Sequence, residues 1–215
     1  MSQPQRKFAI VTGASSGIGL ELARQCARDG HDLLLVADRP LHEAAEQLAA
    51  EGANLDRLEI DLAREAGVDE LCRRAQILGR PVDALIVNAS RGLSKGFLDQ
   101  EWDDIRSVVD INVTGTARLI HRLARDMRER GEGRILVTGS IAGLAPGARQ
   151  AVYSGAKAFL DAFCCALRGE LEDSGVTVTW LMPRATQTDD PAEAAKIAYR
   201  VMQNGGGDAA AGLTS

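Results

Sequence analysis

The sequence predicts an α/β protein, a doubly wound parallel sheet in three αβα layers folded as a single domain. Three observations predict it. Short apolar runs alternate with helix-length segments along nearly the whole chain, which implies parallel strands joined by right-handed crossovers. The runs are apolar almost throughout, as strands are when helices cover both faces of a sheet. Glycines stand just beyond several helical segments, where a left-handed residue ends a helix.

The elements follow in order. Apolar runs at 8–11, 33–36, 58–60, 84–87, 135–137 and 176–181 are six candidate strands. Between them lie helical segments at 18–29, 41–51, 64–78, 102–130 and 151–173, and Gly30, Gly52, Gly131 and Gly175 follow the first, second, fourth and fifth. A further helix is expected over 191–202, with Pro191 at its first position. Residues 204–215 are rich in Gly and Ala with little to bury, so a domain spanning 1–203 is expected to end in a flexible tail.

Composition narrows the function classes. A chain of 215 residues suits one well-buried core and strains to hold two. It is 45% hydrophobic, 26% charged and 4% aromatic, ordinary for a globular protein whose core is Leu, Val, Ile and Ala. A net charge of -5 with scattered Lys and Arg argues against a nucleic-acid or anionic-membrane surface. The apolar run at 8–11 is too short for a signal segment or a membrane span. Cys26, Cys72, Cys164 and Cys165 lack CxxC spacing, and the three His are far apart. No metal site is expected; the cysteines are read as reduced, core-packing residues of a cytoplasmic protein.

The informative stretch is Thr12-Gly13-Ala14-Ser15-Ser16-Gly17-Ile18-Gly19, which leaves the first strand and opens a helix near Ile18. Glycines let the backbone turn sharply and approach a pyrophosphate, whose charge is then held by amide N–H groups at the positive end of the helix. A tight packing turn would need the same residue type. The context favours the ligand: the loop follows the first strand, and the second strand leads to Asp38, 19 residues beyond Gly19, near where a ribose-binding acid is expected. This is a Rossmann-type arrangement for a dinucleotide.

Further along, Tyr153 and Lys157 stand four residues apart on one face of a predicted helix. Ser140 follows the fifth strand, and Asn112 lies inside the long fourth helix. Hydride transfer to a carbonyl leaves an alkoxide that must be protonated, and the reverse reaction needs a base; a phenol serves both directions. A free phenol titrates near ~10, and a neighbouring ammonium brings such a group toward neutrality. Lys157 is the ammonium placed beside Tyr153.

With these motifs the sequence resembles the classical short-chain dehydrogenase/reductase family over nearly its whole length. The loop is similar to the family's TGxxxGIG, Asp61-Leu62 to its adenine-contacting acid, and Asn88-Ala89 to part of its Asn-Asn-Ala-Gly motif, with Val87 and Ser90 replacing the first Asn and the Gly. The resemblance implies Tyr153 as proton donor or acceptor, Lys157 on the nicotinamide ribose, Ser140 on the substrate oxygen and Asn112 bending its helix around a proton-relaying water. It implies cofactor contacts from Gly13, Ser15, Ser16, Gly17, Ile18, Gly19, Asp38, Arg39, Asp61, Leu62, Asn88, Ala89, Tyr153, Lys157, Pro183, Thr186 and Thr188. The implied activity is NAD(P)-dependent oxidation or reduction of a small carbonyl/alcohol pair. Alternatives are a catalytically weak dinucleotide-binding regulatory protein, or an isomerase or dehydratase on the same scaffold.

The match has departures. Arg184 stands where the family has Gly after Pro183. Only Asp189 and Asp190 separate that motif from the Pro191 helix, where family members insert a substrate lid, so the lid is expected to be shortened. The final sheet strand that family members often have is hard to find in 204–215. Ala37 aligns with the acid of NAD-preferring members; Asp38 should still repel a 2′-phosphate while Arg39 could attract one, and NAD is favoured over NADP. Substrate recognition is expected from 90–97 and 143–151. The resemblance also implies a homodimer or homotetramer packed through the helices at 102–130 and 151–173.

Overall fold

The structure is a computed structural model that describes residues 6–183 and 190–210. Its strands are β1 (Phe8–Thr12), β2 (Asp32–Ala37), β3 (Leu55–Glu59), β4 (Ala84–Val87), β5 (Gly133–Thr138), β6 (Val176–Met182) and β7 (Gly207–Ala210). Its α-helices are α1 (Gly17–Arg28), α2 (His42–Ala50), α3 (Glu65–Leu78), α4 (Trp102–Val109), α5 (Thr116–Arg130), α6 (Ala151–Glu170) and α7 (Pro191–Gln203). All strands are parallel and lie in the order β3-β2-β1-β4-β5-β6-β7, so the chain changes direction of winding between β1 and β4. A ligand in such a sheet sits beyond the strand C-termini at that switch point.

Two hydrophobic layers explain why the strands read as unbroken apolar runs. Along β1, Phe8 and Ile10 face one layer with Leu71, Leu119 and Leu160, while Ala9 and Val11 face the other with Leu22, Leu48 and Ala198. Helices α3, α5 and α6 therefore cover one face and α1, α2 and α7 the other. Each fully buried Leu or Ile in these layers contributes about 1.5–3 kcal/mol by leaving water. The four predicted helix-ending glycines all adopt positive φ; at Gly131 the left-handed residue caps α5 and its N–H reaches back to the Arg128 carbonyl.

Four expectations need correction. The tail expected from residue 204 is in part structured, because β7 pairs with β6 from Thr179↔Gly207 to Met182↔Ala210. Gly205, Gly206 and Gly207 at φ 103, 81 and 126 turn the chain from α7 back onto the sheet edge. The strand is Gly, Asp and Ala held by backbone ladders, so it carries no β-branched signal. Residues 211–215 lie outside the described residues. The third strand starts earlier than expected, because Asp56, Arg57 and Glu59 interrupt its apolar pattern at a sheet edge. The helix expected over 102–130 is broken by a π-helical stretch, Asp110–Gly115. Finally, Cys26, Cys72 and Cys164 are buried, but Cys165 is exposed, since it lies one position off the buried stripe of α6.

Candidate active site

The loop after β1 is held shut on the end of β4 by one side chain. Thr12 Oγ1 donates to the Ile86 carbonyl and accepts the backbone N–H groups of Asn88 and Ala89 at 3.0 and 3.1 Å. Asn88 Nδ2 donates in turn to the Gly13 carbonyl at 3.2 Å. A Cβ on Gly13 would lie 2.7 Å from Asn88 Nδ2, and one on Gly19 would lie 2.1 Å from the Gly13 oxygen, so both glycines are steric requirements. Gly17 differs: a Cβ there would meet nothing within 4 Å, and its φ of +57 is what calls for glycine. Sequence reasoning did not single out Thr12, though a Thr at the mouth of a glycine loop was its available signal.

Ser16 is the N-cap of α1, yet its side chain makes no capping hydrogen bond, and the first turn carries no acid. The positive end of α1 is therefore left to an external anion. A cleft of about 330 Å³ opens there, lined by Gly13, Ser15, Ser16, Asp38, Arg39, Leu62, Asn88 and Ala89 among others. Asp61 stands in sequence between the lining residues Ile60 and Leu62, and its Oδ1 accepts the Ala63 N–H at 2.9 Å. Ile18 is half-buried behind the loop and packs against the second core layer.

The four residues expected to be catalytic lie on other elements: Ser140 after β5, Tyr153 and Lys157 on α6, and Asn112 between α4 and α5. Ser140 is buried after β5, its Oγ accepting the Ala142 N–H at 3.2 Å. Gly139 before it is packed against the buried Trp180, and a Cβ there would sit 2.1 Å from Trp180 Cζ2. Lys157 is 2% exposed. Its Nζ donates to the Thr138 carbonyl at 2.9 Å and stands 5.6 Å from the centre of the Tyr153 ring. Burial pushes the ammonium down to about 8. Tyr153 is half-buried and, with Gly92, Leu93, Asp104 and Gln150, lines an adjoining cavity of about 370 Å³; a Cβ added at Gly92 would lie 3.5 Å from its ring.

Asn112 sits in the π-helical stretch between α4 and α5. Its Nδ2 donates to the Val108 and Arg91 carbonyls at 2.9 and 2.7 Å, and its Oδ1 accepts the Ser90 hydroxyl at 2.8 Å. Gly115 allows the same stretch to meet the Leu62 carbonyl, which a Cβ would approach to 2.3 Å. Pro183 follows β6 and accepts the Ile141 N–H at 3.2 Å. Thr186, Thr188 and Arg184 lie outside the described residues. One residue that sequence reasoning missed crosses the cleft: Arg91, whose guanidinium pairs with Asp38 Oδ2 at 3.0 Å and approaches Asp61 Oδ1 to 3.7 Å.

The donor set suits a dinucleotide. The glycine cradle and uncapped helix end suit a pyrophosphate. Among the described residues Lys157 Nζ has one hydrogen-bond acceptor, which leaves donors of a buried ammonium for a ribose hydroxyl. Fold and site together are a Rossmann-type parallel sheet with a glycine-rich loop at its switch point. A family model described as short chain dehydrogenase matches residues 7–196, and the chain belongs to that family.

Known relatives agree. An uncharacterized oxidoreductase of Myxococcus xanthus is 32% identical over 185 residues, covering 85% of this chain and 73% of that protein. Human 17-beta-hydroxysteroid dehydrogenase type 1 is 35% identical over 179 residues, covering 80% of this chain. This chain spans about half the length of that second relative, 54%. Among solved structures, a short-chain dehydrogenase from Sphingobium yanoikuyae in complex with NADPH superposes with a TM-score of 0.89 at 31% identity, over 97% of this chain and 89% of that one. Among the described residues no helix is long and apolar enough to cross a membrane.

Proposed function

We infer that this protein transfers hydride between a nicotinamide dinucleotide and a small carbonyl/alcohol substrate. The observation that carries the reading is buried Lys157 with its Nζ 5.6 Å from the centre of the Tyr153 ring, which lines a cavity that shares Gly92 with the glycine-cradled cleft. A bound nicotinamide supplies or accepts the hydride. The protein manages the proton. The Tyr153 hydroxyl gives a proton to the substrate oxygen in reduction and takes one in oxidation, and the Lys157 cation steadies the phenolate that forms. Ser140 Oγ already accepts from a backbone N–H, so its own hydrogen is left to hold the substrate oxygen. The cavity beside Tyr153 would take the substrate, within the stretch at 90–97 expected to recognise it.

Gly13, Ser15, Ser16 and Gly17 would hold the pyrophosphate, and Lys157 the nicotinamide ribose. Asp38, the ground for expecting NAD over NADP, is paired with Arg91, so both coenzymes stand in this reading. A homodimer or homotetramer through α4, α5 and α6 is supported by the exposure of Trp102 and Phe159 on α4 and α6. Analytical ultracentrifugation of wild type and Trp102→Asp tests it; a wild-type monomer sinks it.

The experiment that tests the catalytic reading titrates wild type and Tyr153→Phe with NADH and NADPH by nucleotide fluorescence, then adds a carbonyl panel. Both proteins should bind nucleotide, and wild type alone should oxidise it. Absence of binding in wild type removes the reading; tight binding without turnover across the panel moves it to a dinucleotide-binding protein.

A further inference from the structure

Arg91 occupies a place that neither the glycine loop nor Ser140, Tyr153, Lys157 and Asn112 account for. Its backbone is fixed, because Asn112 Nδ2 donates to its carbonyl at 2.7 Å. From that anchor the side chain, one-third exposed, runs across the cleft opening to Asp38 at 3.0 Å and Asp61 at 3.7 Å. Arg64 also approaches Asp61, at 3.9 Å, but it is far more exposed than Arg91. Arg39 lines the same end of the cleft. The end that receives the adenosine half of a dinucleotide therefore holds two carboxylates interleaved with guanidinium groups.

This matters for coenzyme choice. A phosphate monoester carries about -1.5 to -2 charge at neutral pH, so a free carboxylate beside the ribose 2′-position would repel it. An Arg paired with that carboxylate cancels the repulsion, and its planar fork also matches phosphate oxygens. We propose that Arg91 is the residue that lets this site take a 2′-phosphorylated dinucleotide: it neutralises Asp38 in the free protein and, with Arg39, turns to the 2′-phosphate when NADP(H) binds. The proposal rests on the dinucleotide reading above. It departs from the expectation, weighed from Ala37, Asp38 and Arg39, that NAD is favoured.

The test measures NADH and NADPH dissociation constants for wild type, Arg91→Ala and Arg91→Lys, with thermal melting to check folding. Wild type should bind NADPH at least as tightly as NADH. Arg91→Ala should weaken NADPH ten-fold or more while changing NADH less than three-fold. Arg91→Lys should keep most of the NADPH affinity, and Asp38→Asn added to Arg91→Ala should recover part of it. Equal weakening of both nucleotides would overturn the proposal, assigning Arg91 to the diphosphate that both share. Equal tightening would overturn it too, making Arg91 an obstruction across the cleft. If wild type binds neither, the dinucleotide reading itself falls and takes this one with it.

Discussion

The Ser90 hydroxyl donates to Asn112 Oδ1 at 2.8 Å, tying the loop after β4 to the π-helical stretch between α4 and α5. A hydroxyl stands here where the family's motif has a glycine. Ser90→Gly removes one hydrogen bond and should cost about 1 kcal/mol, a fall in Tm of about 2–4 °C. Asn112→Ala also strands the Arg91 and Val108 carbonyls and should cost at least twice as much. Thermal melts of both variants check this; equal losses would show that Asn112 is held chiefly by Ser90.

The two loop glycines should separate in their effects. Gly19→Ala drives a Cβ to 2.1 Å from the Gly13 carbonyl, with no space for relief. It should lower NADH and NADPH binding more than ten-fold and destabilise the fold by several kcal/mol. Gly17→Ala meets nothing and bears only its φ of +57, about 1–2 kcal/mol, with the loop intact. Titration and urea unfolding report both; similar losses at the two sites would contradict the steric account.

Gly139→Ala should act on Ser140 through Trp180. The buried indole lies 2.1 Å from the new Cβ, so the turn before Ser140 must move. Overpacking of this kind costs about 1–3 kcal/mol. If the loss is a clash between these two residues, Trp180→Leu combined with Gly139→Ala will be destabilised by less than the sum of the single variants. Additive losses in urea unfolding would remove the pairing.

Lys157 gives the fold a pH signature. Burial lowers its ammonium from 10.5 to about 8, so between those values the unfolded chain binds a proton that the folded chain does not. Stability from this group therefore rises as pH rises from about 8 to 10.5, by up to about 3 kcal/mol. Below pH 8 the folded state carries the full cost of a buried cation. Lys157→Met should be more stable than wild type at pH 7, with the gap closing by pH 10. Paired urea melts at the two pH values test the sign; a gap that widens with pH refutes it.

Much of this was legible in the sequence for physical reasons. The β1 and β2 runs announce themselves because each residue, on either face, is buried. The glycine loop is legible because the steric demand falls on residue type, and Tyr153 with Lys157 because helical spacing puts them on one face. What escaped has equally definite causes. Strand β7 is held by backbone pairing with side chains too small to mark a strand. Edge strand β3 hides behind Asp56, Arg57 and Glu59. Arg91 escaped because its partners, Asp38 and Asp61, are far away in sequence and meet it only when the strand ends converge. No local pattern encodes such a meeting.

The π-helical stretch holds one residue more than a regular helix would place there. An α-helix advances about 100° per residue, and a π turn holds one residue more than an α turn for the same advance along the axis. Removing a single residue between Asp110 and Gly115 would restore a regular helix. The same deletion would leave the apolar stripe of α5, Leu119, Ile120, Leu123 and Met127, in phase with α4 and against the sheet, because the π turn takes up its extra residue locally. The irregular turn that carries Asn112 is thus a one-residue splice, in which the helix gains a residue at the site without turning the core-facing side of α5.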